Sequence, residues 1–187
     1  MTEASKGRPA ALDRLWAGWR TSYIEDAAVA GARSTDQEGC VFCRILSSGL
    51  PDTETHVLWR HPGGRAVAVL NAYPYGSGHL MIMPTRHTAD LETLRSSAEE
   101  PEADDIWAGV RQAVAAVKEA YRPDGVNVGA NLGKESGAGV PGHVHIHVLP
   151  RWSGDTNFMT TVAETRVLPE PLSATDAKLR EAWPAGL

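Results

Sequence analysis

Three histidines at alternate positions, His143, His145 and His147, stand in the run His143-Val144-His145-Ile146-His147-Val148-Leu149-Pro150. In an extended chain they share one face, about 6.5 to 7 Å apart, while Val144, Ile146 and Val148 turn to the other. Two chemistries suit such a row. A His-x-His pair on a strand can hold a catalytic zinc ion. A neutral imidazole is also a good nucleophile, if a hydrogen bond to its second nitrogen fixes the tautomer. Histidines kept merely as core residues would each need two ring nitrogens satisfied, which makes that the costly reading.

Cys40 and Cys43, the two cysteines of the chain, form a C-x-x-C. It supplies half of a tetrahedral zinc site and needs two further ligands from elsewhere. A thioredoxin-like redox role would place the motif at the start of a helix behind a strand. Residues 25–38 read instead as a linker of Ala, Gly, Ser, Asp and Gln with little periodicity. His79 and His87 flank the apolar run His79-Leu80-Met81-Ile82-Met83-Pro84 and join the candidates. His56 and His61 read as surface residues with no constellation around them.

The elements that must position these groups follow from periodicity. His56–Arg60 and Arg65–Asn71 read as strands joined by the turn His61-Pro62-Gly63-Gly64. The loop Ala72-Tyr73-Pro74-Tyr75-Gly76-Ser77-Gly78 then leads into a buried strand closed by Pro84. Thr88 is placed to cap a short helix through Leu94. Pro101–Tyr121 is a stronger helix, with Ile106, Val110, Ala113, Val114, Val117 and Tyr121 on one apolar face and Pro123 ending it. Val126–Leu132 alternates as a strand. The glycine-rich Gly133–Gly142 loop that follows is not a Walker P-loop, because Glu135 stands where a Ser or Thr would hold magnesium; a loop of this composition can still wrap a phosphate with backbone N–H groups. At the ends, Leu12, Leu15, Trp16, Trp19 and Tyr23 give an amphipathic helix suited to packing against the domain or a second subunit, and Ala174–Trp183 reads as a helical tail.

Composition narrows the function further. With 187 residues, 42% hydrophobic and 22% charged, the chain can bury a core without staples. A formal charge of -5 argues against a grip on nucleic-acid polymers by counterion release, so an anionic ligand must be met locally. No apolar run reaches membrane-spanning length, and Met1–Ala11 lacks the apolar centre of a secretion signal. The expected setting is cytoplasmic, where a reducing environment favours thiolate ligands over a disulfide.

The run His143–Leu149 fits the His-φ-His-φ-His-φ-φ signature of the histidine-triad (HIT) family. Asn71, the Gly78-His79 step, Pro84-x-x-His87, a helix, a strand ending at Asn131 and the glycine loop follow in that family's order. The resemblance covers roughly residues 39–152. The N-terminal Trp-bearing helix and Arg151-Trp152-Ser153-Gly154-Asp155-Thr156-Asn157-Phe158 are similar to a bacterial, zinc-containing branch that acts on diadenosine tetraphosphate by phosphorolysis or hydrolysis.

The resemblance implies an α+β fold, a HIT-like antiparallel sheet of about five strands with helices on one face, usually paired as a homodimer. It divides the chain into an N-terminal tail and helix (1–38), a HIT domain (39–152) and a C-terminal extension (153–187). It implies nucleotidyl transfer, with His145 as nucleophile on the α-phosphorus, His147 and His79 hydrogen-bonding phosphate or bridging oxygens, Asn71 meeting the ribose, and Asn131 with the backbone at Gly139 and Val140 holding phosphate. It also implies a closed, structural zinc site of Cys40, Cys43, His87 and His143. Zinc and nucleophile would then coexist. At Gly139 and Val140 many eukaryotic members carry Gln and Ser or Thr, and Pro141 has no N–H to donate, so the leaving-group contact differs here. Two further readings stand beside a dinucleoside polyphosphate-splitting enzyme: a purine nucleoside phosphoramidase or hydrolase of adenylylated metabolites, and a zinc-stabilised nucleotide-binding or scaffold protein.

Overall fold

The protein is described by a computed structural model over residues 37–155 and 170–185. The expected helix around Leu12–Tyr23 and the segment Thr156–Phe158 lie outside the described residues. In chain order the elements are helices α1 (Val41–Ser47) and α2 (Asp52–Thr55), strands β1 (Val57–Arg60), β2 (Ala66–Leu70) and β3 (Leu80–Pro84), helix α3 (Glu102–Tyr121), strands β4 (Gly125–Ala130) and β5 (Ile146–Arg151), and helix α4 (Leu172–Glu181). The five strands form one antiparallel sheet in the order β1-β2-β3-β5-β4.

The apolar runs of β2 and β3 are central strands, buried along their whole length. Alternation then sorts their side chains to two cores. Ala66, Ala68, Leu70, Leu80 and Ile82, with Ile146 and Val148 of β5, pack against Ile106, Val110, Ala113 and Val117 of α3. Val67, Val69, Met81 and Met83 face the other way, onto Cys40 and Phe42 of the α1 region. Helices therefore lie on both faces: α3 and α4 cover one, and the short cysteine-bearing α1 covers the other.

Two details set the approach of α3. A Cβ on Gly109 would stand 2.9 Å from the Trp59 ring and 3.1 Å from Ile82, so the missing side chain lets the helix sit close to the sheet. The helix ends at Arg122, whose φ of 46° is left-handed, immediately before Pro123. The C-terminal tail is built into the body. Leu179 is fully buried in the α3 core, Trp183 stacks on Trp59 at 5.8 Å, and its Nε1–H donates to Gln112 Oε1 at 3.0 Å. Arg180 donates to the carbonyls of Asp52 and Val57 at 2.9 and 2.8 Å.

Three expectations are corrected. Thr88 caps no helix: a single 3-10 turn forms over Leu91–Thr93, and Thr88 instead pairs its hydroxyl with Thr93 at 2.6 Å and accepts from Val144 N–H at 2.7 Å. The tertiary bond to the histidine segment outcompetes the local cap. His56 and His61 are not isolated. His56 Nδ1 meets Asp176 at 3.2 Å and His61 Nδ1 meets Asp105 at 3.3 Å, partners far away in sequence. Finally, the paired strand starts at Ile146; His143, Val144 and His145 precede it, held by bonds to neighbouring loops rather than by the ladder.

No helix among the described residues is long and apolar enough to cross a membrane.

Candidate active site

The candidates fall into two adjoining clusters, and His143 joins them. Cys40 is the N-cap of α1 and Cys43 lies in its first turn, so the motif does open a helix, though the residues described before it, 37–39, form a turn rather than a strand. His87 follows β3 by three residues. Cys40, Cys43, His87 and His143 bring their ligand atoms within 4.8 Å of one another. Individual separations are 3.5 Å for Cys40 Sγ to His143 Nδ1, 3.4 Å for Cys43 Sγ to His87 Nδ1 and 3.6 Å for Cys43 Sγ to His143 Nδ1. A tetrahedron with Zn–S and Zn–N bonds of about 2.3 and 2.0 Å has S···N edges of about 3.5 Å, so the four donors fit that ion. The tautomer fits too: His143 donates Nε2–H to the Pro84 carbonyl at 2.8 Å, leaving the Nδ1 lone pair toward the sulfurs. Burial first, then the neighbouring His87 and His145, pushes His143 down to about 4, keeping its ring neutral. Burial, then Cys40, pushes the Cys43 thiol up to about 11.

The His87 segment is tied down by a pair no motif announces. Arg86 makes a two-pronged ion pair with Glu102 of α3, at 2.7 and 3.2 Å, and Arg95 N–H adds a third bond at 3.1 Å. Burial raises the Glu102 carboxyl, but these donors more than offset it and hold it below its ordinary range. Arg86 is adjacent to His87, so α3 helps fix the metal-capable cluster from across the chain.

The second cluster is His145, His147, His79 and Asn71. His145 is 4% exposed, and its Nδ1–H donates to the His143 carbonyl at 2.8 Å. That bond fixes the tautomer and leaves the Nε2 lone pair available. Burial lowers the His145 pKa, which keeps the lone pair unprotonated. Phe42 sets its ring edgewise against both His143 and His145, with centroids at 5.5 and 5.2 Å, and so links the two clusters.

The neighbouring pair has an equally definite polarity. Tyr75 N–H donates to His79 Nδ1 at 3.0 Å, and Asn71 Nδ2 lies 3.4 Å from the same nitrogen. Asn71 Oδ1 is occupied by Tyr73 N–H at 2.9 Å, which assigns the amide with its NH2 toward His79. His79 therefore carries its proton on Nε2 and donates to His147 Nδ1 at 2.9 Å. His147 is left with Nε2–H, a buried donor with no partner among the described residues. Burial, then His145, pushes His147 down to about 4, so it is a neutral donor near pH 7. An unpartnered buried N–H beside an unprotonated Nε2 can hold an oxygen while the lone pair attacks the atom that bears it.

Asn71 and His79 are neighbours across β2 and β3, with Asn71 N–H donating to the His79 carbonyl at 3.2 Å. The β4–β5 pairing runs to Ala130 opposite Ile146, and Asn131 and His145 lie directly beyond its end. Gly139 and Val140 lie in the loop before the triad; both are half-buried, and the Val140 carbonyl accepts from His143 N–H at 3.3 Å. Reading the sequence missed Tyr75, Phe42, Arg86 with Glu102, and the Pro84 carbonyl. An aromatic one residue after Pro74 in the loop before His79 was the available signal for Tyr75; the others depend on long-range packing.

A description of the HIT domain matches residues 51–154. The AP-4-A phosphorylase of Mycobacterium tuberculosis (strain H37Rv) is 38% identical over 173 residues, covering 92% of this chain and 85% of that protein. Among solved structures, a zinc-bound histidine triad family protein from Mycobacterium smegmatis is 30% identical, with a TM-score of 0.57 over 79% of this chain and 94% of its own. A Hit-like protein from Bartonella henselae shares the fold at a TM-score of 0.57 and 22% identity, covering 76% of this chain and 94% of that one.

Proposed function

Because the chain belongs to the HIT family, we propose that it is an enzyme that transfers a nucleotidyl group from a dinucleoside polyphosphate such as diadenosine tetraphosphate to inorganic phosphate, through a nucleotidyl group on His145. The observation that carries this reading is the 2.8 Å bond from His145 Nδ1–H to the His143 carbonyl, which leaves Nε2 as an oriented nucleophile. Its attack on the α-phosphorus forms a P–N bond as the bond to the bridging oxygen breaks. Positive charge developing on the His145 ring is met by the carbonyl at Nδ1–H, and charge on the departing oxygen is met by His147 Nε2–H. The acceptor then displaces a neutral imidazole, a better leaving group than an alkoxide. Asn71 is assigned to the ribose, and Asn131 with the backbone at Gly139 and Val140 to phosphate oxygens. Phosphate as acceptor is supported by the relative named AP-4-A phosphorylase.

Cys40, Cys43, His87 and His143 would hold zinc as a closed four-ligand site, whose contribution is structural. In that arrangement His143 orients His145 through its carbonyl without touching substrate. The reading also carries a cytoplasmic setting and a homodimer. Among the described residues strand β4 is an edge of the sheet, and Trp107 (52% exposed) and Val128 (42% exposed) border a shallow groove of about 470 Å³ beside it. An unpaired edge next to an exposed apolar face suits a two-fold contact with a second copy; light scattering at micromolar concentration should return twice the 20.1 kDa chain mass.

The test is product analysis. With diadenosine tetraphosphate, ADP and ATP should form only when phosphate is present. AMP and ATP regardless of phosphate would make the protein a hydrolase, and cleavage restricted to phosphoramidates would make it a phosphoramidase. Nucleotide binding without turnover would establish the binding-protein reading. His145→Ala should lower kcat by on the order of 10⁴-fold or more with fold and metal content unchanged.

A further inference from the structure

The geometry points to Tyr75 as a positioning residue: its ring clamps the His79–His147 pair so that His147 keeps Nε2–H aimed at the leaving oxygen. This inference deepens the proposed function and rests on it for the identity of that oxygen.

Among the described residues His147 has one ring hydrogen bond, the 2.9 Å contact from His79 to its Nδ1. With one hydrogen bond the ring can turn about its Cβ–Cγ bond at the cost of that single contact, and the turn would swing Nε2–H away from the site. Something must press on its faces. The Tyr75 ring lies 4.7 Å from the His79 centroid at 32° and 5.8 Å from the His147 centroid at 38°, so one aromatic face spans both imidazoles. His145 closes on His147 from another side, edgewise at 4.9 Å and 79°. Tyr75 thus presses one ring against both members of the pair.

Its peptide N–H separately fixes the His79 tautomer, and that bond survives any side-chain change except to proline. Substitution therefore isolates the ring. The π-face also favours the partial positive charge that the imidazoles acquire while donating to an anionic oxygen. Tyr75 is 39% exposed and stands at the mouth of the site rather than in either core, so its loss leaves the fold standing.

The experiment compares Tyr75→Leu and Tyr75→Phe in the full, metal-loaded protein. Tyr75→Leu should lower kcat about tenfold or more with KM changed less than threefold, because a misaimed donor weakens the transition state rather than ground-state binding. Tyr75→Phe should stay within threefold of wild type. Independently of any substrate, long-range ¹H–¹⁵N spectra of the imidazoles should show the Nε2–H tautomer at His79 and His147 in wild type and Tyr75→Phe, and averaged tautomers at His147 in Tyr75→Leu. Equal loss in the Phe and Leu variants would overturn the inference and assign the effect to the hydroxyl. Wild-type turnover or an unaltered His147 tautomer in Tyr75→Leu would overturn it as well. Failure of the proposed reaction itself would appear in the wild-type product assay and leave the spectroscopic comparison readable.

Discussion

Along His145–Val148, where the chain enters β5, Ile146 and Val148 turn toward α3, while His145 and His147 turn toward Phe42 and Tyr75. The two sets alternate along the same few residues and are buried by different rules. On the α3 side the contacts are apolar and non-directional, so each residue contributes area and no partner is indispensable. On the histidine side nearly every ring nitrogen has an assigned partner: the Pro84 carbonyl for His143, the His143 carbonyl for His145, Tyr75 N–H and His147 for His79. The exceptions among the triad are the His145 Nε2 lone pair and the buried His147 Nε2–H, the two atoms assigned to chemistry. One face can therefore lose stability gradually, whereas the other loses function when a single link is cut.

The strongest way to test that contrast is to cut the metal-capable cluster. Cys43→Ala should destabilise the protein by on the order of several kcal/mol and lower its zinc content and turnover together, measured by atomic absorption, urea unfolding and product assay. Retention of one equivalent of zinc would break the comparison. Next, Ile82→Ala on the opposite face should cost about 2–5 kcal/mol in urea unfolding, with kcat of the folded protein unchanged. Gly109→Ala should also destabilise, by about 1–3 kcal/mol, although alanine is the better helix former; the new methyl must push Trp59 or Ile82 aside, and the shift should be visible as a lowered Tm.

The smallest effect is a pH slope. His147 is pushed to about 4 by burial and then by His145, against an ordinary histidine value of about 6.5 in the unfolded chain. Above about pH 6.5 both states are neutral and the stabilisation is complete. As pH falls toward about 4 the unfolded chain takes up a proton that the native ring refuses, so stability declines over that window. Urea unfolding at pH 7.5 and 5 should show the decline, and His147→Gln should make it shallower without abolishing it, because buried His143 and His145 are lowered in the same direction; an identical slope in the variant would assign the titration elsewhere.

The triad spacing, the C-x-x-C and the order of motifs around them named the residues that the structure brings into two adjoining clusters. The local reason is plain: a strand's period of two and a metal's need for particular donors are both written in residue type and spacing. Thr88 reads as a helix cap because its neighbours in sequence permit one, yet a bond to Val144 more than fifty residues away claims its carbonyl. His56 and His61 look solitary for the same reason, since Asp176 and Asp105 come from distant helices.

By itself the sequence determined the strands, the long helix and which histidines share a face, because those follow from short-range periodicity and chain stereochemistry. Only the tertiary structure decided which nitrogen of each histidine carries the proton. That choice depends on the carbonyls of Pro84 and His143 and on the N–H of Tyr75. Backbone groups are the same at every residue, so no residue type announces which one a folded chain will bring within 3 Å of an imidazole.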